Sequence, residues 1–184
     1  MKKFELTAEF VTNIFGKKLF RIKALVAFGD VSAGELGGFV EKEENLSNNG
    51  DAWVSGDAWV SGNAQVSGDA LVSGNAQVYG DAWVSGNAWV SGNAQVYGNA
   101  QVYGNADYAV VTGFGRCFRA TTFFRCKDKI LRVQCGCFYG DLAKFREIVK
   151  KTHGDSKYAK EYLAIADLME LHFSDEEENQ EADK

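Results

Sequence analysis

From Asp51 to Gly104 the chain repeats a six-residue unit nine times without an insertion: DAWVSG, DAWVSG, NAQVSG, DALVSG, NAQVYG, DAWVSG, NAWVSG, NAQVYG, NAQVYG. Valine recurs at every sixth position from Val54 to Val102, and alanine stands two residues before each valine. Side chains along a strand alternate between faces, so each Ala and its Val point one way while the residue between them points the other. Gly followed by Asn or Asp supplies a corner, because Gly accepts φ > 0 freely and Asn or Asp tolerates it better than most residues. A short strand and a corner every six residues make one side of a triangle. Three hexads then close a coil of eighteen residues, and the nine hexads make three coils. Stacked at about 4.8 Å, such coils line up their valines as apolar columns, with the small alanines leaving room near the corners. An amyloid-like or disordered low-complexity segment is the competing reading, and the inward pair kept in every hexad argues against it.

Stacking by eighteen sorts the outward residues onto three faces. One carries Trp53, Leu71 and Trp89. The second carries Trp59, Gln77 and Gln95 beside Ser61, Tyr79 and Tyr97. The third carries Gln65, Trp83 and Gln101 beside Ser67, Ser85 and Tyr103. A Trp-Leu-Trp stripe is too apolar to be left in water, and large apolar patches mark interfaces. This stripe, together with Trp59 and Trp83, is expected to pack on another subunit or on the C-terminal segment, in a dimer or trimer. Exposed Trp suiting a strand is the alternative.

The unit Val-Ser/Tyr-Gly-Asn/Asp-Ala-x matches the signature of the bacterial transferase hexapeptide superfamily, an aliphatic residue followed four positions later by a small one. The chain resembles that superfamily, and the resemblance implies a left-handed parallel β-helix. The spacing itself sets no hand, and most parallel crossovers are right-handed. Two flanking runs, GDVSAGELGGFVEKEENLS and GCFYGDLAKFREIVKKTHGDSKYAKEYL, extend the likeness to nearly the whole chain. They resemble YdcK-type hexapeptide-repeat proteins of bacteria and phages. That resemblance implies a fold and a gene neighbourhood but no reaction.

The fold class is therefore mainly β. Residues 1–50 are expected to form an N-terminal β cap. In it, Leu6–Ile14 and Leu19–Ala27 make a hairpin about Gly16-Lys17-Lys18, and an irregular first coil covers the otherwise open strand edges. Residues 51–112 form the β-helix. Residues 113–173 form a small α+β module, with a hairpin of Arg116–Cys126 and Ile130–Phe138 turning at Lys127-Asp128-Lys129. Phe118, Ala120, Thr122, Phe124 and Cys126, with Leu131, Val133, Cys135 and Cys137, are its expected core faces, leaving Arg119, Arg125 and Arg132 outward. Asp141 caps a first helix that ends at His153-Gly154, and a second runs from about Ser156 to Phe173. Residues 174–184 read as an acidic, disordered tail.

Charge divides along the chain. Residues 51–104 hold four Asp and no Lys or Arg, residues 105–173 hold twelve basic against eight acidic side chains, and the tail holds six acidic residues and Lys184. This mixture argues against a nucleic-acid partner, which calls for a basic stripe. A nucleic-acid mimic needs a denser acidic array than four Asp over three coils. No apolar run reaches the roughly 20 residues a membrane span requires. With no apolar region behind Lys2-Lys3, a cytoplasmic protein with reduced thiols is expected.

An acyl-CoA-dependent acetyltransferase is one functional reading, since many relatives in the superfamily transfer acetyl groups using a His base and an inserted loop. The repeat has no such loop, and His153 and His172 both lie outside it. A metal centre at Cys126, Cys135 and Cys137 is a second, but their C-x8-C-x-C spacing lacks the C-x2-C pair of structural zinc sites. The reading carried forward is a non-enzymatic scaffold or binding protein without cofactor or metal. Its partner would be a small anionic ligand or a host protein. Arg116, Arg119, Arg125 and Arg132 are the candidates for anion recognition, with Tyr79, Tyr97 and Tyr103 lining grooves. The phage side of the resemblance implies an accessory role, sequestering a host nucleotide signal or blocking a host defence protein.

Overall fold

A computed structural model describes residues 2–174. Each hexad contributes one two-residue strand. These are β4 (Trp53–Val54), β5 (Trp59–Val60), β6 (Gln65–Val66), β7 (Leu71–Val72), β8 (Gln77–Val78), β9 (Trp83–Val84), β10 (Trp89–Val90), β11 (Gln95–Val96) and β12 (Gln101–Val102). They pair in parallel with the strand three hexads on: Trp53 with Leu71 and then Trp89, Gln77 with Gln95, Gln65 with Trp83 and then Gln101. The nine hexad valines and nine alanines are each 1% exposed or less. Burial of a valine side chain contributes about 2 kcal/mol, so the interior columns are the main source of stability. The molecule is mainly β, a β-solenoid of about four turns followed by two helices.

The extra turn comes from the N-terminal segment. Strands β1 (Phe4–Thr12) and β2 (Lys18–Ala24) form an antiparallel hairpin, and β2 pairs with β3 (Leu36–Val40). β3 in turn pairs in parallel with β5, giving a six-stranded sheet in the order β1-β2-β3-β5-β8-β11. The hairpin strands stop short of the expected Ile14 and Ala27. Val40 pairs with Val60 and Leu46 bridges Val66, whereas Val54 pairs with Val72. Eight residues thus separate Leu46 from Val54 where a regular hexad would use six, so this first coil carries a two-residue insertion at its last corner. Buried polar groups hold the irregular corners. Asn45 Nδ2 donates to the Gly62 and Ala64 carbonyls at 3.2 and 2.8 Å, and Lys3 Nζ donates to those of Gly50 and Ala52 at 3.0 and 2.8 Å.

At the other end the structure differs from expectation in one boundary and in the number of strands. Strand β13 (Tyr108–Val111), expected inside the β-helix, instead leads an antiparallel sheet with β14 (Thr121–Arg125), β15 (Leu131–Cys135) and β16 (Phe138–Asp141). The expected hairpin is therefore a four-stranded sheet. The hexad rule lapses after Gly104, where residues 105–107 form a 3-10 turn and β13 can pair with β14. Both faces of β14 are buried, with Phe123 and Phe124 each 0% exposed. Phe124 and Cys126 pack with the solenoid interior and Tyr139. Phe123 and Val133 pack with helices α1 (Leu142–His153) and α2 (Lys157–His172). The sheet is thus a lid between the solenoid end and the helix pair. Asp141 caps α1 by accepting from Lys144 N at 2.8 Å, and Ser156 caps α2. The expected acidic tail lies, from Asp175 onward, outside the described residues. Among the described residues no helix is long and apolar enough to cross a membrane.

Candidate functional site

The turn between β14 and β15 is pinned against the last hexad. Ala100 bridges Cys126, Lys127 N donates to Asn99 O at 3.1 Å, and Lys129 N donates to Cys126 O at 2.8 Å. This register sets Lys127 and Lys129 beside Gln101 and Tyr103, while β14 brings Arg125 to the same place. Asp107 closes the far side. Its Oδ2 accepts the Tyr103 and Gly104 amides at 2.9 and 3.0 Å, and its Oδ1 lies 3.7 Å from Arg125 Nε. Arg125 is braced further by donating Nη2 to Phe173 O at 3.1 Å, with the Phe173 ring 5.8 Å from the guanidinium. The result is a cleft of about 500 Å³ lined, among the described residues, by three cationic side chains and one carboxylate. A larger cleft of about 620 Å³, at Trp89, Asn105 and Tyr108, has no charged lining residue among the described residues.

The other arginines go elsewhere. Arg132 pairs with Phe124 in register, on the solenoid side of the sheet, and its Nη2 binds Asp128 Oδ2 at 2.6 Å. Beside it Tyr139 and Cys126 share a hydrogen bond, and burial pushes the Tyr139 phenol up to about 12 and the Cys126 thiol up to about 11. Arg125 and Arg132 therefore project from opposite faces of the sheet rather than outward together, since Arg125 pairs with Leu131 one register position away. Arg119 lines a separate cleft with Gln77 and Gln95, and Arg116 is exposed. Phe118, expected in the core, is 68% exposed and holds φ 51°. Residues 116–120 do not join β14, so strand alternation does not govern them.

Tyr79 and Tyr97 lie within an aromatic column. Trp59 and Phe15 contact Tyr79 at 5.5 and 5.6 Å, Tyr79 stacks on Tyr97 at 4.6 Å, and Tyr97 meets Tyr139 at 4.9 Å. The column runs from the N-terminal hairpin along the second face to the lid. Burial, then the neighbouring Tyr97, raises the Tyr79 phenol above its ordinary range.

Trp83 and Trp89 lie back along their faces, each indole donating to a serine sixteen residues earlier, Ser67 and Ser73, at 3.0 Å. Trp53 reaches back equally far to Gly37, where a Cβ would sit 2.7 Å from its Cζ2, and Phe28 packs edge-on to it at 5.4 Å. Trp53 is thereby 3% exposed and closed to any partner, against expectation; Leu71 and Trp89 remain 39% and 55% exposed. The degenerate first coil supplies the cover that the sequence pattern suggested would come from another subunit or the C-terminal module.

Cys117 and Cys137 are exposed, Cys135 is half-buried and Cys126 is buried, all as free thiols. Among the described residues no three His, Cys, Asp or Glu side chains come together as a metal site. His153 packs 5.9 Å from Tyr162 and His172 packs 4.8 Å from Phe173, so both belong to the helical layer. In sequence Lys127 and Lys129 stand only as turn residues; the signal for their role is that both follow Arg125 within four positions.

Fold and cleft together define a β-solenoid repeat protein whose C-terminal lid carries a cationic recess. Residues 64–77 and 76–92 match the family model of the YdcK beta solenoid repeat. No curated protein matches the chain.

Proposed function

We propose that this chain is a non-enzymatic β-solenoid binding protein that holds a small anionic ligand between the last hexad and the lid. The observation that carries this reading is the meeting of Arg125, Lys127 and Lys129 with Tyr103 around one recess that Asp107 also lines. A guanidinium fixed by a carboxylate and a backbone carbonyl is pre-organised for an oxyanion. The two ammonium groups add charge, and the tyrosine adds a hydroxyl and a ring face. The repeat supplies rigidity, with backbone amides of one coil donating to carbonyls of the next, as Trp53 N does to Ala70 O at 3.0 Å and Ser55 N to Val72 O at 2.8 Å. In this proposal the solenoid is of the left-handed hexapeptide type and the chain self-associates through the exposed Leu71–Trp89 stripe. The accessory role of sequestering a phosphorylated host signal is the form of this reading that the phage resemblance suggests.

The test uses inorganic tripolyphosphate as probe. A saturable ligand at one hundred times its Kd adds about 2.7 kcal/mol to stability, which shifts the melting temperature with concentration. The shift is expected to shrink with added salt and to vanish in a Lys127→Ala/Lys129→Ala variant that melts normally alone. No concentration-dependent shift in the wild-type protein refutes the reading.

A further inference from the structure

A second cleft, of about 400 Å³, opens where residues 117–120 cross the second face of the solenoid. Its floor is an array of carboxamides. Gln77 and Gln95 pair in register one coil apart, and Asn75 Nδ2 donates to Asn93 Oδ1 at 3.2 Å. Each carboxamide presents both a donor and an acceptor, so this floor reads an edge that offers both kinds of group. Its rim is Arg119, whose Nη1 lies so near Gly136 that a Cβ there would come within 2.6 Å. Gly136, held by Gln134 Nε2 donating to its carbonyl at 2.8 Å, makes the space in which the guanidinium rests. Among the described residues, no Asp or Glu lines the cleft.

Phe118 is the feature that folding alone leaves unexplained. A bulky side chain at φ 51° is a backbone outlier, and this ring is also 68% exposed, so neither local preference nor burial rewards the conformation. Outliers of this kind that persist at a cleft are a signature of a functional constraint. Here the left-handed turn places Phe118 on the lining of the same cleft as Arg119, Gln77 and Gln95.

We propose that this cleft binds a phosphorylated ring, a sugar phosphate or a nucleoside monophosphate. The Arg119 fork takes the phosphate, the Phe118 ring takes the flat face, and Gln77 and Gln95 read the polar edge. It is a site separate from the Lys127–Lys129 recess and stands whether or not that recess binds anions.

Titration calorimetry on the Lys127→Ala/Lys129→Ala background, which silences the other recess, tests it with ribose 5-phosphate, adenosine monophosphate, adenosine and inorganic phosphate. Saturable binding of ribose 5-phosphate or adenosine monophosphate is expected, at least about tenfold tighter than inorganic phosphate or adenosine. Arg119→Ala should weaken it at least about tenfold. Equal affinity for the two phosphorylated probes marks a sugar-phosphate site, and a preference for adenosine monophosphate marks a nucleotide site. Phe118→Gly separates recognition from folding, because glycine relieves the backbone outlier: affinity should fall while the melting temperature rises or holds. The proposal is overturned if neither phosphorylated probe binds, if Arg119→Ala leaves binding unchanged, or if Phe118→Gly destabilises the protein without touching affinity.

Discussion

Gly86 and Gly92 occupy successive corners with nearly the same backbone, φ 62° and 66°, but with different neighbours. A Cβ added at Gly92 would meet nothing within 4 Å, whereas one added at Gly86 would lie 2.2 Å from the Tyr103 carbonyl oxygen. Gly92→Ala therefore carries only the left-handed penalty for an L residue, about 1–2 kcal/mol. It is partly offset by about 0.4–1 kcal/mol from the stiffer unfolded chain, leaving a net loss of about 1 kcal/mol. Gly86→Ala carries the same balance plus an overpacking term of about 1–3 kcal/mol, because two backbones must move apart. Its total is about 2–4 kcal/mol, and about 2–4 °C of melting temperature per kcal/mol makes the pair easy to separate. Urea unfolding followed by circular dichroism measures both variants against wild type. Equal losses at the two corners would show that coil-to-coil approach has no part in the choice of glycine, and the reasoning would fail.

The titrating groups give further tests. Lys3 is held down at about 8 by burial, against partial relief from Asp51 and Asp69. Below that pH the folded protein bears a buried ammonium. Between pH 8 and 10.5 the unfolded chain binds a proton the folded one has lost, so this group makes stability rise with pH. Lys3→Met should remove that rising limb in urea midpoints taken across the window, and an unchanged limb would reject the assignment. Tyr139 and Tyr162, both raised to about 12 by burial, act with the opposite sign above pH 10: the folded state keeps protons the unfolded state loses, and stability falls. Iodoacetamide at pH 8 should label Cys117 and Cys137 in the native protein but Cys126 only after unfolding, as peptide mass mapping would read. Rapid native labelling of Cys126 would contradict a lid closed on the solenoid.

The repeat was legible because one physical rule governs every hexad: the inward pair and the corner are fixed by strand alternation and by φ > 0. The cap on the first helix was legible for a similar reason, since Asp141 acts within one turn of chain. What escaped was long-range. Nothing local in Phe28 or Gly37 says that they will bury Trp53, because the two-residue insertion after Leu46 resets the count. Nor does the alternation of 121–126 reveal that both faces are covered, since that requires knowing that the solenoid end lies on one side and the helices on the other. Strand alternation alone puts Arg119, Arg125 and Arg132 on outward faces; the register sends Arg125 and Arg132 to opposite sides and leaves Arg119 on an irregular segment.

The lid meets the last coil at fixed places: Thr122 Oγ1 accepts Gln95 N at 2.9 Å, and Lys127 N reaches Asn99 O. Those anchors repeat every eighteen residues below, so duplicating three hexads would lengthen the rod and return the same docking surface to the lid. Duplicating a single hexad would rotate that surface by a third of a turn and present the lid with the wrong side. Growth by gene duplication is thereby quantised, and the length of this molecule can change over evolutionary time only in whole storeys.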